Sequence, residues 1–216
     1  MLSVVIPTYN EEKRIFRWCL GTVFKSLEHS GDEYEVIVVD SGSTDKTLDI
    51  AEEFGCKIYV TGVRSIGWNR EIGITRSKGD VVCNLDADCI VTLDYFAKVR
   101  EVFDKYPHIN AICARRKPLN PNIATEVWLK LADLRGICPA MCTSYRRDYI
   151  LDILTRVHFD RCTTLGCDDL LVKRHVDAVV VPGLYVYTDL SGYREFIGMG
   201  VMGSLGALVG RLVGLI

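Results

Sequence analysis

The chain carries almost no net charge. Its 26 Lys and Arg stand against 28 Asp and Glu, a balance of −2 at pH 7. The two signs are intermixed and no long basic tract occurs, so the footprint of a nucleic-acid binder is missing. No internal repeat or low-complexity linker is present, and 49% hydrophobic residues are too many for a globally disordered chain. No leader precedes the first apolar run, "LSVVIPTYNEE", so a secretory signal is not expected there. The nine cysteines are odd in number and irregularly placed, which does not suggest a disulfide framework. Reduced thiols in a cytoplasmic compartment are the simpler expectation. Cys138, Cys142, Cys162 and Cys167 have three and four intervening residues within their pairs, looser than a zinc motif, and read better as core thiols.

What is present is a regular alternation. A length of 216 residues fits one large domain, or one domain with an appendage. "LSVVI" reads as a buried strand and "NEEKRIFRWCLGTVFKSLEHS" as a helix, with Ile15, Cys19, Val23 and Leu27 on one stripe. Asn10 is the expected N-cap of that helix, with Glu11 and Glu12 at its positive end. "YEVIVVD", "KIYVT" and "DVVCNLD" read as further strands. The helices between them are "STDKTLDIAEEFG", capped by Ser43 or Thr44 and ended by Gly55, and "WNREIGITRSKG". Strands apolar on both faces, alternating with helices, predict an α/β fold with a mostly parallel central sheet flanked by helices. The second half is less regular. A helix over "LDYFAKVREVFDKYP", a strand over "INAICAR", a helix over "NIATEVWLKLADL", a strand over "AMCTSY" and one or two short strands in "AVVVPGLYVYTD" are expected.

In open α/β sheets, ligands bind outside the carboxyl ends of the strands. Three polar clusters fall at such ends: Thr8-Tyr9-Asn10-Glu11, Asp40-Ser41-Gly42-Ser43 and Asp86-Ala87-Asp88. In an extended segment Asp86 and Asp88 point the same way, so both can face one cation. Mg²⁺ and Mn²⁺ take oxygen ligands, often one or two carboxylates completed by a phosphate. The alternative is that the two acids merely cap a loop and the next helix.

The ordered pieces "VVIPTYNEE", "VIVVDSGSTDKT", "NREIGITRSKGD", "NLDADC" and "CDDLLVKR" resemble the family-2 glycosyltransferases, which have the GT-A fold. The resemblance spans residues 2 to about 175. It implies a nucleotide-binding half over 1–90, an acceptor half over 91–195, and an inverting enzyme that uses a nucleotide-sugar donor with Mg²⁺ or Mn²⁺. By the same resemblance Thr8, Tyr9 and Glu11 hold the nucleotide, and Asp40 receives the N3–H of a pyrimidine base. Asp40 is equally a turn-starting residue ahead of Gly42. Asp86 would sit against the ribose and metal, Asp88 would ligate the metal, and Arg70 would face the nucleotide unless it is a solvated helix arginine. Displacing a nucleoside diphosphate builds charge on the leaving oxygens, which a divalent metal neutralises.

An acceptor hydroxyl needs a base. Asp168 is the candidate, seven residues after Arg161 and six before Arg174, a spacing that matches the family's acidic element. Asp169 is the alternative, and both acids are also positioned to cap a helix. The chain departs from the family pattern at Cys167, where a glutamate is usual, and at Glu71, where an asparagine is common. It also lacks the Gln-X-X-Arg-Trp element of processive synthases, which points to transfer of one sugar per encounter.

Two other functions fit the pattern less well. A sugar-1-phosphate nucleotidyltransferase usually opens on a glycine-rich loop, and "IPTYNEEKR" has no glycine. A non-catalytic nucleotide-sugar binder would not need Asp86, Asp88 and Asp168. The acceptor is a glycan, a protein or a lipid-linked group, and the donor a UDP- or GDP-sugar. The tail 196–216, "FIGMGVMGSLGALVGRLVGLI", has Arg211 as its only charge and Gly206, Gly210 and Gly214 at intervals of four. As a helix it would be about 30 Å long, a bilayer's hydrocarbon thickness. It either contacts a membrane, which would place the enzyme at a cytoplasmic membrane face, or packs on the domain as a glycine-rich helix.

Overall fold

The computed structural model describes residues 1–12, 16–121, 142–159 and 174–189. Strands β1 (Leu2–Thr8), β2 (Tyr34–Asp40), β3 (Lys57–Val60) and β4 (Val81–Asn84) are the predicted parallel set. Helices α1 (Phe16–Ser30), α2 (Thr47–Glu53) and α3 (Ile66–Arg76) connect them. Then follow β5 (Cys89–Val91), α4 (Tyr95–Lys105), β6 (Ala111–Pro118), β7 (Thr143–Arg146), α5 (Arg147–Leu154) and β8 (Ala178–Thr188). The sheet order is β3-β2-β1-β4-β7-β6-β8-β5. The pairs among β1 to β4 and the β6–β8 pair are parallel, whereas β4–β7, β6–β7 and β5–β8 are antiparallel.

Alternation along the strands builds two cores. Leu2, Val4 and Ile6 of β1, with Val81 and Cys83 of β4, pack with α1, α2 and α4. Val5 and Val82 point the other way, toward Ile74 of α3 and Ile150, Ile153 and Leu154 of α5. Both faces are buried, which is why these strands read as continuous apolar runs. Glu35 sits inside this architecture at 5% exposure. Burial pushes its carboxyl up, but Lys57, the Ser3 hydroxyl and the Lys78 amide together hold it below the usual carboxylate range.

Several local expectations are corrected. Asn10 does not cap α1. It takes a positive φ of 53°, and its Oδ1 accepts from Thr44 N at 2.9 Å. Glu11 and Glu12 precede the helix and clamp the β1 loop onto the approach to α2: Glu11 N donates to Thr47 Oγ1 at 2.7 Å and Glu12 Oε2 accepts from Lys46 N at 3.1 Å. Helix α2 starts after Lys46 without a side-chain cap, because Ser43 and Thr44 are engaged by Asp40 and Asn10. It ends as expected, with Gly55 N on Glu52 O and Cys56 N on Ala51 O, the paired bonds of a Schellman end. The two strand readings of "AVVVPGLYVYTD" merge into β8, which bulges between its pairings with Cys113 and Arg115. Pro182 cannot donate to the ladder, and Gly183 has a φ of 79°, so this insert suits a bulge. Strand β5 and helix α5 were not foreseen. Cys19, Cys56, Cys83, Cys89 and Cys142 are free thiols, as expected, but Cys113 is disulfide-bonded.

Candidate functional site

The site begins where β1 and β2 end side by side. Thr8 pairs with Asp40 in the ladder, and Thr8 Oγ1 donates to Asp40 Oδ2 at 2.7 Å. Asp40 is fully buried, and its carboxylate also accepts from Gly42 N at 2.9 Å, Ser43 N at 2.6 Å and Ser43 Oγ at 2.6 Å. Gly42, at a φ of 88°, lets the chain wrap back over that carboxylate. Asp40 therefore starts the turn. Four protein donors already match the acceptor capacity of a carboxylate, and a base N3–H would have to share or replace one of them.

Beside this turn lies a pocket of about 250 Å³ lined by Pro7, Thr8, Tyr9, Glu11, Ser41, Arg64, Ser65, Ile66 and Asn69. Three of the expected nucleotide residues, Thr8, Tyr9 and Glu11, are in its wall. Arg64, in the loop after β3, lies 4.2 Å from the Tyr9 ring centroid and donates to the Tyr9 hydroxyl. Asn69 is buried on the first turn of α3, accepting from Thr61 Oγ1 at 2.8 Å and donating to Ser41 Oγ at 2.7 Å. Ser65 caps α3 by accepting from Trp68 N at 3.2 Å. Arg64, Ser65 and Asn69 escaped the sequence reading. The rule that found the other clusters, polar residues at a strand's carboxyl end, applies equally to the loop after β3 and points to Arg64 and Ser65, whereas Asn69 lies on α3 beyond its reach.

Arg70 follows Asn69 and is not a solvated arginine. It is 2% exposed and pairs with Asp86. Asp86 and Asp88 do not lie on an extended strand, as the sequence suggested. They occupy a turn closed by Cys89 N on Asp86 O at 3.2 Å, and Asp88 is 8% exposed. Arg70 holds one carboxylate of this turn in place. The donor set, two carboxylates in one tight turn near the carboxyl end of β4, suits a Mg²⁺ or Mn²⁺ ion completed by substrate oxygens. Among the described residues no group of three or more His, Cys, Asp or Glu could hold a metal by itself.

Glu71, the departure from the family pattern, points to the other side of α3. Its Oε1 meets His158 Nδ1 at 2.8 Å and its Oε2 accepts from Phe159 N at 2.7 Å. Gly67 permits this docking, since a Cβ there would lie 2.4 Å from Phe159 O. The candidate bases Asp168 and Asp169, like the tail 196–216, lie outside the described residues. A second depression, about 410 Å³, lies at the opposite end of the central strands, before β4 and after β7, among Lys78, Asp80, Arg146, Arg147 and Asp148. Its charges serve the fold: Asp80 binds Arg100 and the Met1 ammonium, Arg146 donates to Ile109 O and Phe103 O, and Arg147 to Ser77 O.

These features define a class: an α/β domain whose polar residues converge outside the carboxyl ends of parallel strands, with an acidic turn at the crevice. Residues 3–126 match the model of glycosyl transferase family 2, and the chain belongs to that family. It is 32% identical over 101 residues to the uncharacterized glycosyltransferase YfnE of Bacillus subtilis, covering 44% of this chain and 25% of that protein. It is 29% identical over 124 residues to the poly(ribitol-phosphate) beta-N-acetylglucosaminyltransferase TarS of Staphylococcus aureus, covering 55% of this chain and 21% of that one.

Among solved structures, S. aureus TarS 1–349 superposes with a TM-score of 0.68 at 20% identity, over 93% of this chain and 65% of that one. The mannosyltransferase PcManGT of Pyrobaculum calidifontis, in complex with GDP-Man and Mn²⁺, superposes with a TM-score of 0.67 at 19% identity, over 90% and 59%. The fold is that of the GT-A glycosyltransferases, a mixed sheet that is mostly parallel. The chain spans about a quarter of the length of YfnE and a fifth of TarS.

Proposed function

We propose that the chain is a glycosyltransferase that moves a single hexose-type sugar from a UDP- or GDP-sugar to an acceptor hydroxyl or lipid phosphate, with inversion and with Mg²⁺ or Mn²⁺. The observation that carries this reading is Arg70. Its neighbour Asn69 lines the pocket between the β1 and β3 loops, and Arg70 itself pairs with Asp86. This adjacency along α3 supports reading pocket and acidic turn as two parts of one site that takes a nucleoside diphosphate.

In this reading Tyr9 and Arg64, stacked on one another, form one wall for the base, Thr8, Glu11 and Asp40 hold the nucleoside end, and Asp86 and Asp88 hold the metal. The metal supplies charge neutralisation for the departing diphosphate. Arg70 orients Asp86 through their ion pair. Asp168 is assigned as the base that takes the acceptor's proton, with Asp169 the alternative. Residues 1–90 form the nucleotide-binding half, 91–195 the acceptor half, and 196–216 a membrane-contacting tail that brings the domain to its acceptor at a cytoplasmic membrane face. Relatives named for poly(ribitol-phosphate) and for dolichyl-linked sugars support a phosphate-bearing or lipid-linked acceptor. PcManGT, solved with GDP-Man and Mn²⁺, supports metal use.

The test is hydrolysis of a panel of UDP- and GDP-sugars with and without Mn²⁺. Metal-dependent release of one nucleoside diphosphate supports the reading. Failure to bind or cleave any nucleotide-sugar at millimolar concentration rejects it.

A further inference from the structure

Beyond Cys113, strand β6 loses its partner β7, whose register ends at Thr143, and among the described residues it pairs there with β8 alone. There Arg115 lies opposite Tyr185 and Lys117 opposite Tyr187. Ala114, Leu184 and Val186 turn to the core beneath, so alternation puts Arg115, Lys117, Tyr185 and Tyr187 together on the other face. Lys117 Nζ lies 3.7 Å from the Tyr185 ring centroid and 5.9 Å from that of Tyr187. Both tyrosines and Lys117 are half-buried, and Arg115 is exposed. No ion pair joins either cation to a carboxylate among the described residues. Two cations and two aromatic rings form one platform.

The platform abuts the acidic turn. Tyr187 pairs with Ile90 and Thr188 with Cys89, and Asp189 N donates to Asp88 O at 3.1 Å. Neighbouring strands lie about 4.8 Å apart, so the β6 backbone at Lys117 is about 10 Å from β5, which Asp88 leads into. The nucleotide pocket draws its wall from the loops of β1, β2 and β3, so the platform approaches the acids from other strands. A group that approaches the donor sugar from outside the nucleotide pocket is the acceptor. Lys and Arg together select phosphate, and tyrosine faces offer flat, amphipathic contact area to a sugar ring or a chain.

Resting on the glycosyltransferase reading above, we propose that Arg115, Lys117, Tyr185 and Tyr187 form the acceptor subsite, and that it takes an acceptor bearing a phosphate group. Glucose 6-phosphate and farnesyl phosphate in detergent micelles serve as probes, one a sugar phosphate and the other a lipid phosphate. Binding is measured by saturation-transfer NMR with Mg²⁺ and the nucleoside diphosphate identified by the hydrolysis panel present at saturation, so that the donor site is filled. Lys117→Met keeps the aliphatic stem over Tyr185 and removes the charge. Lys105→Met, at the similar Lys105–Tyr106 pair with Nζ 5.6 Å from the ring, is the control.

At least one probe binds the wild type and weakens about fivefold or more in Lys117→Met, as expected for loss of a partly screened charged hydrogen bond. Glucose competes much less well than glucose 6-phosphate, and Lys105→Met binds like the wild type. The probe that binds identifies the source of the phosphate. If neither probe binds, or if Lys117→Met and Tyr187→Ala bind as well as the wild type while retaining its thermal midpoint, the subsite is refuted. Nucleotide-sugar cleavage by the wild type is read separately, so the subsite can fail while the glycosyltransferase reading stands.

Discussion

Gly73 is the point at which packing decides whether α3 can deliver Asn69 and Arg70. A Cβ on Gly73 would lie 2.2 Å from Val5 Cγ1, 3.1 Å from Val5 Cγ2 and 3.2 Å from Val39 Cγ2. Carbon atoms rest about 3.5–4.0 Å apart, so the methyl must move by more than about 1 Å. Val5 cannot yield. Its strand is paired to β2 on one side and β4 on the other, and a β-branched side chain is stiff at χ1. Helix α3 must lift instead, carrying Asn69, Arg70 and Glu71 with it.

Overpacking of this severity costs about 3 kcal/mol, and replacing helical glycine returns about 1, leaving a net loss of about 2 kcal/mol. For a domain of this size that is about 4–8 °C in Tm. Urea unfolding of Gly73→Ala, Val5→Ala and the double variant gives the decisive cycle. With both Val5 methyls gone, Gly73→Ala becomes neutral or stabilising, and a competitive nucleotide assay shows weakened UDP binding in the single variant alone. A Gly73→Ala protein as stable as wild type, or one whose cost persists in the Val5→Ala background, would refute the close approach of α3 to β1.

Asp88→Ala is expected to abolish sugar transfer and the Mn²⁺-dependent part of donor binding while the fold persists; unchanged activity after EDTA treatment and Mn²⁺ titration would exclude Asp88 as a ligand. Asp168→Asn is expected to lower kcat about 10²-fold or more with little change in donor affinity, the scale of lost general base catalysis; the same loss in Asp169→Asn alone would move the base by one residue. Asp80 is partly buried, which raises its carboxyl, but Arg100 and the Met1 ammonium outweigh this and hold it well below the usual range. Its contribution is therefore present above the unfolded value near pH 4 and lost as pH falls below it. Wild type should lose more urea resistance between pH 6 and about 3 than Asp80→Asn, and parallel losses would rule this out. A version ending at Glu195 should leave the membrane fraction that holds the full chain; if both remain in the supernatant after high-speed centrifugation, the tail packs on the domain.

The parallel half of the fold was legible because its signals are local and redundant. The continuous apolar runs "LSVVI", "YEVIVVD" and "DVVCNLD" mark strands buried on both faces, and helix periodicity fills the gaps between them. What failed was local capping, and it failed for one reason. Asn10, Ser43 and Thr44 carry the side chains that cap helices, but here they bond to one another across the β1 and β2 loops. Only the parallel pairing of Thr8 with Asp40 brings those loops together, so the competition is invisible in either segment alone. Strand β5 is three residues long, too short to show a period, and exists because β8 reaches it from ninety-odd residues away.

The same distinction separates what was legible in the site from what was not. Residue types at strand ends named Thr8, Tyr9, Glu11, Asp40, Asp86 and Asp88. They left open whether Arg70 faces solvent and gave no account of Glu71. The structure gives these two neighbours partners on different sides of α3. Successive helical residues point about 100° apart, so Arg70 turns to Asp86 while Glu71 turns to His158 and Phe159. Helix α3 is thus fixed at three levels: by Gly73 against β1, by Arg70 against the acidic turn, and by Gly67 and Glu71 against the chain at Phe159. A buried glutamate that accepts a backbone N–H cannot be replaced by an asparagine one methylene shorter without withdrawing from that donor. Glu71 therefore docks α3 against His158 and Phe159 on the side away from Arg70 and Asp86.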